Sequence, residues 1–157
     1  MTSMERFVGR ALAIVAFAGA AGCVSTHLYD QGPVYAKSAV PPEVGAVVAY
    51  WPPSASAKIT GWRVWCNHRS VLLFAGGYGT MWLPPGPVQC AALDVAGGHE
   101  TPVEAKLEPG GTIYVRLDVS VMAPSIELVG EDRASKPDEL TACHLVPGGR
   151  GRKIVDD

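Results

Sequence analysis

The sequence from Gly45 onward alternates short apolar runs with breaks that are rich in glycine and proline. Proline fixes φ and glycine permits positive φ, so such breaks favour chain reversals and interrupt helices. Eight runs have the length of a strand: residues 46–51, 62–67, 71–75, 78–83, 88–95, 103–107, 112–120 and 125–129. Because strands that recur about every ten residues are typical of sandwiches and barrels, the sequence predicts a single all-β sandwich of seven to eight short strands.

The composition supports one β-rich domain. The 157 residues include 18 glycines and 13 prolines, about a fifth of the chain, which disfavours a helical bundle. With 48% hydrophobic and 18% charged residues, the chain has enough apolar material for a core, so wholesale disorder is excluded. The net charge of −2 is too small for a nucleic-acid-binding surface, and we expect no nucleic-acid partner.

Polarity alternates most regularly in the run that begins at Thr112. Its apolar members share one face of a strand and its polar members share the other: Ile113, Val115 and Leu117 against Thr112, Tyr114, Arg116 and Asp118. We expect the first set to face the core and the second to face solvent.

The first 22 residues are typical of an export signal. Arg6 and Arg10 precede an uncharged, largely apolar run at residues 11–22, which is too short to span a membrane. The run ends in Ala20-Ala21-Gly22-Cys23, which resembles the lipobox of bacterial lipoproteins and implies that the thiol of Cys23 carries lipid. The alternative is cleavage at an ordinary secretory site, Ala18-Gly19-Ala20, with Cys23 unmodified.

The segments that flank the predicted sandwich, at residues 45–145, have other expected roles. Residues 23–44 show no sustained periodicity and are predicted to form a flexible tether. The alternative is that apolar members of this segment pack on the edge of the domain: Leu28, Tyr29, Val34 and Tyr35. Residues 135–140 predict a short helical turn, and the glycine-rich tail at 146–157 is predicted to be disordered.

Several stretches follow one another in the order seen in a known family: residues 47–52, Gly77-Tyr78, Leu83-Pro84-Pro85-Gly86, residues 111–116, residues 126–129, and Glu139-Leu140 with Cys143. The chain thus resembles a family of bacterial lipoproteins carrying a domain of unknown function, with a β-sandwich similar to prealbumin-like and PEGA-type modules. The resemblance implies the sandwich fold and no particular activity. In two-membrane cells, a residue other than aspartate after the lipidated cysteine, here Val24, resembles the sorting signal of outer-membrane lipoproteins.

Motifs that would carry chemistry are missing from the sequence. His99-Glu100 begins like a zinc-protease helix, but Val103 stands where the second histidine belongs. The glycine-rich stretch 76–79 lacks the lysine of a phosphate loop and predicts a hairpin turn. The four histidines lack the spacing of metal ligands: His27, His68, His99 and His144. We predict no catalytic residues, no metal and no cofactor.

Trp51, Trp62 and Trp65 form the candidate contact surface. Trp62 and Trp65 fall on opposite faces of one predicted strand, so one of the two is expected to be exposed. Trp51 and Trp62 flank residues 52–61, the longest loop between predicted strands. Exposed tryptophans anchor protein partners or stack on sugar rings. The alternative is that these three residues and Trp82 all cover the core.

Three further cysteines lie in the exported domain, where disulfides form. Cys66 shares a strand face with Val64, and Cys90 shares one with Val88, so both thiols are expected to point inward. This favours a bridge between Cys66 and Cys90. A bridge from Cys143 to either one stays open, and Cys143 matches a position of the family that the chain resembles.

Together these patterns predict a lipid-anchored, non-catalytic binding or accessory module of the cell envelope that faces the periplasm from the outer membrane. Its expected contacts are the membrane, through the lipid on Cys23, and an envelope protein or glycan. Two alternatives stay open. A glycan-binding module would present a flat exposed pair of tryptophans, and an envelope enzyme would place His68 or His99 beside a carboxylate in a polar pocket.

Overall fold

The computed structural model describes residues 32–53, 61–93, 102–120, 124–146 and 152–153. Within these ranges, ten strands form two five-stranded sheets packed face to face, which confirms the predicted all-β sandwich. The strands are β1 (Gly45–Trp51), β2 (Trp62–Cys66), β3 (Arg69–Leu73), β4 (Gly77–Leu83), β5 (Gly86–Leu93), β6 (Val103–Leu107), β7 (Thr112–Val119), β8 (Pro124–Val129), β9 (His144–Leu145) and β10 (Arg152–Lys153). Between β8 and β9 lie helix α1 (Glu131–Ala134) and a 3₁₀ turn (Leu140–Ala142).

The first sheet has the strand order β8-β7-β1-β4-β9, and the second has the order β10-β3-β2-β5-β6. Strand β1 runs parallel to β7 and antiparallel to β4, while β9 runs parallel to β4. The other neighbouring strands pair in antiparallel fashion. Strand β1 is therefore the central strand of the first sheet, flanked on both sides.

The main core lies between the two sheets. Val47, Met81 and Leu117 of the first sheet meet Val64 and Leu73 of the second, and all five are fully buried. Burial of one aliphatic side chain of this size contributes about 1.5–3 kcal/mol. All seven residues of β1 are buried, because the other face of this strand is covered as well. An uninterrupted apolar run is what a strand buried on both faces requires.

A second cluster covers the outer face of the first sheet, the face directed away from the main core. Its buried members are Val48, Tyr50, Tyr78, Tyr114, Ala134, Leu140 and Cys143. The expectation of a solvated face on β7 is therefore wrong at Tyr114, which is 4% exposed. The reason is that residues 130–146, the C-terminal segment, fold back over this face and bring apolar side chains onto it.

The turn at Gly76 connects the two sheets. Strand β3 belongs to the second sheet and β4 to the first, so the prediction of a hairpin turn here is wrong. Gly76 has a φ of 75°, and the amide of Gly77 donates to the Phe74 carbonyl at 2.8 Å. A side chain at Gly77 would meet Val146 at 2.5 Å. Glycine at these positions lets the chain cross tightly between the sheets.

The predicted short C-terminal helical turn is present, and its helical residues lie on either side of residues 135–139. Helix α1 ends at Ala134, just before the predicted 135–140, and residues 135–139 lead to the 3₁₀ turn. Glu131 and Asp132 place negative charge in the first turn of α1, which favours a helix N-terminus there. The Ser135 hydroxyl does not cap a following helix, because it donates to the Glu131 carbonyl at 2.8 Å.

The described part of the predicted tether, residues 32–44, lies on the sandwich. Val34 forms a β-bridge with His144, and the Tyr35 amide donates to the Cys143 carbonyl at 3.1 Å. Tyr35 packs against the second cluster, as the alternative held, whereas Val34 is 50% exposed. These residues belong to the folded domain because their backbone groups pair with it. The other two apolar members of the segment, Leu28 and Tyr29, lie outside the described residues.

The domain also extends slightly beyond its predicted end at residue 145. Val146 is 2% exposed and its amide donates to the Tyr78 carbonyl at 3.0 Å. Further along, the two residues of β10 pair with β3. The remainder of the tail that was predicted to be disordered, residues 147–151 and 154–157, lies outside the described residues.

Candidate functional site

The outer face of the first sheet is built from three rows of side chains across β7, β1 and β4. In the first row Ala46 stands between Thr112 and Trp82, in the second Val48 stands between Tyr114 and Thr80, and in the third Tyr50 stands between Arg116 and Tyr78. The third row is covered by the C-terminal segment. Ala46 and Val48, the residues of β1 in the first two rows, line a cavity.

A buried carboxylate joins the C-terminal segment to the third row. The Nε of Arg116 donates to Glu139 Oε2 at 2.9 Å, and the Tyr50 hydroxyl donates to the same oxygen at 2.9 Å. The side chain of Glu139 is only 10% exposed. A buried carboxylate needs such partners, because an unpaired charge removed from water is strongly unfavourable. We call these three residues the clasp.

Three more charged side chains surround the clasp. Arg116 Nη1 lies 3.0 Å from Asp118 and 3.4 Å from Glu127. Arg133 of α1 lies 2.9 Å from Glu127 and, through its Nε, 3.8 Å from Glu139. Two guanidinium groups thus face three carboxylates, and each charge of the group has a partner of opposite sign. This pairing fixes the C-terminal segment against the sheet.

Burial keeps two groups near Glu139 protonated, the phenol of Tyr50 and the thiol of Cys143. Desolvation raises the pKa of the Tyr50 hydroxyl, and the hydrogen bond to Glu139 raises it further. Desolvation also raises the pKa of the Cys143 thiol to about 12, with the charge of Glu139 as the second cause. At neutral pH the phenol therefore donates a proton to the hydrogen bond, and the thiol is not a nucleophile. The clasp is thus joined by a charge-assisted hydrogen bond from Arg116 and a hydrogen bond from the protonated Tyr50.

A cavity of about 370 Å³ occupies the other end of the outer face. Ala46 and Val48 form its floor. Other residues of the sheet form its walls, and N-terminal residues form its roof. Among the lining residues are Thr80, Trp82 and Thr112 of the sheet, and Tyr35, Ala36, Ser38 and Val40 of the roof. The lining residues in the described ranges include no acid, lysine, arginine or histidine. The cavity therefore has a neutral lining in which aromatic, hydroxyl and small apolar groups alternate.

The roof belongs to residues 32–40, which we call the strap. Its attachments to the C-terminal segment are hydrogen bonds from Leu145 to Pro33 and from Tyr35 to Cys143, and an ion pair of Lys37 with Glu131. In addition, the rings of Tyr35 and Tyr78 meet edge to face, with centroids 5.3 Å apart. Such aromatic pairs contribute about 0.5–1.5 kcal/mol beyond their burial. The strap is an ordered part of the domain, fixed mainly at its first half.

The three tryptophans of the predicted contact surface occupy three different environments. Trp51 is 4% exposed and belongs to the main core, so its prediction as a contact residue is wrong, because β1 is covered on both faces. Trp62 packs partly against the main core, while Trp65 lies on the opposite face of β2 and is half-buried, with its indole Nε1 buried and unbonded. The loop expected to carry the surface lies at residues 54–60 outside the described ranges. Trp82, which was not among the three predicted contact residues, lines the cavity.

Of the four cysteines, two form a disulfide, one is a buried free thiol, and one lies outside the described residues. Cys66 and Cys90 stand opposite each other on β2 and β5, with Cα atoms 4.1 Å apart, and form a disulfide. Cys143 is free and fully buried in the second cluster. Cys23, the predicted lipid attachment site, lies outside the described residues.

The histidines are dispersed. His68 is exposed in the turn between β2 and β3, and His144 lies on β9 with Nδ1 2.9 Å from the Gly32 carbonyl. His27 and His99 are outside the described residues. In the part of the chain that the structure describes, no group of three histidine, cysteine or acidic side chains is placed to hold a metal ion. The same part contains no helix long and apolar enough to cross a membrane.

No pattern in the sequence singles out the clasp or the cavity. Tyr50 and Glu139 are 89 positions apart, so no local spacing connects them. Arg116 followed the alternation of a solvated strand face, and carboxylates are usually solvated. One available signal was a charged residue, Glu139, directly before the apolar Leu140.

No protein-family model matches the chain, and no match is found among curated proteins. The features from which function can be inferred are therefore those of this chain: an all-β sandwich, a strap joined to a clasped C-terminal segment, and a neutral cavity between strap and sheet.

Proposed function

We propose that this protein is a lipid-anchored, non-catalytic binding module of the cell envelope and that it binds through the cavity beneath the strap. The cavity carries the proposal: its volume of about 370 Å³ falls in the range of small-molecule sites, about 300–1,000 Å³. Its lining offers aromatic surface and hydroxyl groups and no described ionisable side chain other than tyrosine. Such a lining holds a ligand by contact and hydrogen bonds, which is the chemistry of binding.

The ion pair of the clasp, on the same outer face as the cavity, supports the same proposal. Arg116 and Glu139, the most buried ion pair described, bond to each other and to Tyr50. A general base must be free to take a proton from a substrate, whereas Glu139 is occupied by its two partners. The clasp therefore acts by holding the C-terminal segment, and through it the strap, in position.

The strap links the cavity to the proposed anchor. Gly32, its first residue, follows Cys23 by nine positions, and nine residues span at most about 30 Å. If Cys23 carries diacylglycerol, the sandwich stays within roughly that distance of the bilayer surface. In the outer membrane, this arrangement would present the cavity to periplasmic glycans or proteins close to the membrane.

The anchor is tested with Cys23→Ser. We expect this variant to leave the membrane fraction or to remain unprocessed, because the serine hydroxyl cannot take the thioether-linked lipid. Mass spectrometry of the mature N-terminus of the unaltered protein provides the direct measurement. A terminal peptide that lacks Cys23, or carries it free, would contradict the anchor.

The cavity is tested by photocrosslinking in living cells. A photoreactive phenylalanine analogue replaces Val40, which lines the roof, and in a matched control it replaces Leu72 on the second sheet. We expect a discrete adduct, identified by mass, from position 40 and none from position 72. No adduct from position 40 would contradict the binding role, and turnover of an envelope substrate that His68→Ala abolishes would favour the enzyme alternative.

A further inference from the structure

The shape of the cavity suits a flat ring. Trp82 and Thr112 lie on the two strands that flank β1, and both stand opposite Ala46. Strands separated by one intervening strand are about 10 Å apart. Because the alanine side chain is small, a gap remains above it between the side chains of Trp82 and Thr112, and this gap is narrower than the strand spacing by the thickness of those two side chains. A ring lying in this gap can contact the indole on one side and hydrogen-bond on the other.

The hydroxyl groups and the neutral charge of the lining limit which kind of ring can bind in the cavity. Ser38, Thr80 and Thr112 bring hydroxyl groups to the cavity from the roof and from both flanking strands. A hydroxyl both donates and accepts hydrogen bonds, so it suits a ligand whose own groups do both. With no acid, lysine, arginine or histidine in the described lining, an anionic or cationic ligand would lose its hydration without a counter-charge.

We propose that this cavity binds an uncharged sugar ring, stacked against Trp82 and hydrogen-bonded to Ser38, Thr80 and Thr112. The inference rests on the proposed function, since it names the ligand class of the same site. A sugar fits because its C–H faces pack on an aromatic surface while its hydroxyl edge bonds to polar groups. The site differs from the pair of tryptophans expected from the sequence, because a single indole faces neutral hydroxyl groups across a gap.

The competing occupant is an acyl chain, and the lining disfavours it. A hydrocarbon would bury the three hydroxyl groups without offering them a hydrogen bond, at an unfavourable free energy for each one. The hydroxyl groups of a sugar supply hydrogen bonds to these three groups. Removal of the Thr80 and Thr112 hydroxyl groups should therefore affect the binding of a sugar and of an acyl chain differently. A variant that lacks both hydroxyl groups distinguishes the two ligand classes.

The test uses the full chain in a zwitterionic detergent without a sugar headgroup, labelled with 5-fluorotryptophan and observed by ¹⁹F NMR. Maltose and N,N′-diacetylchitobiose are the sugar probes, at concentrations up to about 10 mM, and 1-decanol is the acyl probe. We expect a sugar to shift the Trp82 resonance saturably and to leave the Trp65 resonance unchanged. Trp82→Ala should weaken binding at least about tenfold, and Trp65→Ala, the same change on the second sheet, should leave it within about twofold.

The double variant Thr80→Val and Thr112→Val keeps the shape of the cavity and removes two hydroxyl groups. Sugar binding should fall about tenfold or more, whereas binding of an acyl chain would be unchanged or tighter. Saturable binding of 1-decanol without binding of either sugar, or sugar binding insensitive to these variants, would overturn the sugar assignment. No saturable response to either sugar would do the same. If position 40 still gave a crosslinked adduct while the sugar tests failed, the cavity would keep its binding role and only the sugar assignment would be wrong. Failure of the sugar assignment can therefore be distinguished from failure of the binding role.

Discussion

Glu139 is the most buried acidic residue that the structure describes. Arg116 and Tyr50 both bond to one of its oxygens at 2.9 Å. In Glu139→Gln the negative charge is lost and the amide keeps nearly the same shape, so the guanidinium of Arg116, a side chain only 16% exposed, loses its closest carboxylate charge. We expect the free energy of unfolding to fall by about 2 kcal/mol or more, measured by urea denaturation.

The matched control is Glu108→Gln. Glu108 also pairs with a cation at 2.9 Å, Lys106, but the two side chains are 63% and 77% exposed. Solvent screens this pair, so the same substitution should change the free energy of unfolding by less than about 0.5 kcal/mol. Equal effects of the two substitutions would show that the clasp contributes no more than a surface ion pair.

The thiol of Cys143 makes stability depend on alkaline pH. Its pKa is raised from 9.0 to about 12 in the folded protein, because of burial and then of the Glu139 charge. A raised folded pKa gives stability that is complete below the unfolded pKa and is lost as pH rises towards the folded value. Between about pH 9.5 and 11, this group alone should lower the free energy of unfolding by about 1.4 kcal/mol per pH unit.

Comparison with Cys143→Ala isolates that contribution. The variant lacks the titrating group, so its free energy of unfolding should decline less steeply over the same range, as measured by urea denaturation at several pH values. Parallel pH dependence in the two proteins would mean that the thiol titrates alike in the folded and unfolded states.

Strand positions were the part of the fold that the sequence could predict. All eight predicted runs overlap β1 to β8, since glycine and proline mark where strands end and apolar residues mark the core face. The cover over the outer face could not be predicted from the same pattern. Tyr114 and Arg116 have the alternation of a solvated face, and residues distant in sequence, among them Glu139 and Leu140, fold back on the sheet and bury them. Alternation describes a strand, and burial depends on what packs against it.

The disulfide joins the paired strands β2 and β5, and the length of the loop that it closes predicts how much its reduction lowers stability. Cys66 and Cys90 are 24 positions apart, and closing a loop of that length stabilises the folded state by roughly 3 kcal/mol. We expect a reductant to lower the free energy of unfolding by about that amount. Peptide mapping under non-reducing conditions should recover the Cys66–Cys90 crosslink and a free Cys143.

The double variant Cys66→Ala and Cys90→Ala is the control for reduction. Without the bridge, its stability should not respond to reductant. A bridged Cys143, or an equal response of this variant to reductant, would contradict the assignment.

At the scale of the whole molecule, the strap and the C-terminal segment meet on one face of the first sheet. The strap from the N-terminal side and the C-terminal segment both lie over the first sheet, and the clasp holds the segment to which the strap is bonded. A chain anchored through the strap would therefore place its cavity on the side of the domain from which the anchor leaves. This arrangement depends on a contact 108 positions apart in sequence, Tyr35 with Cys143, which no short pattern reveals.

Tyr35 is the residue on which the docking of the strap most depends. Its ring packs on Tyr78, and desolvation raises the pKa of its hydroxyl, aided by a hydrogen bond to Tyr114. Tyr35→Ala removes this buried anchor, whereas Val34→Ala, the neighbouring control, changes a side chain that is 50% exposed. We expect the Leu145 amide, which donates to Pro33, to exchange with deuterium at least about tenfold faster in Tyr35→Ala only. Amides of β2 and β5, in the other sheet, should keep their protection. If Leu145 exchanged at the same rate in both variants, the strap would be held by its backbone hydrogen bonds and ion pair without the tyrosine, and Tyr35 would serve only to line the cavity.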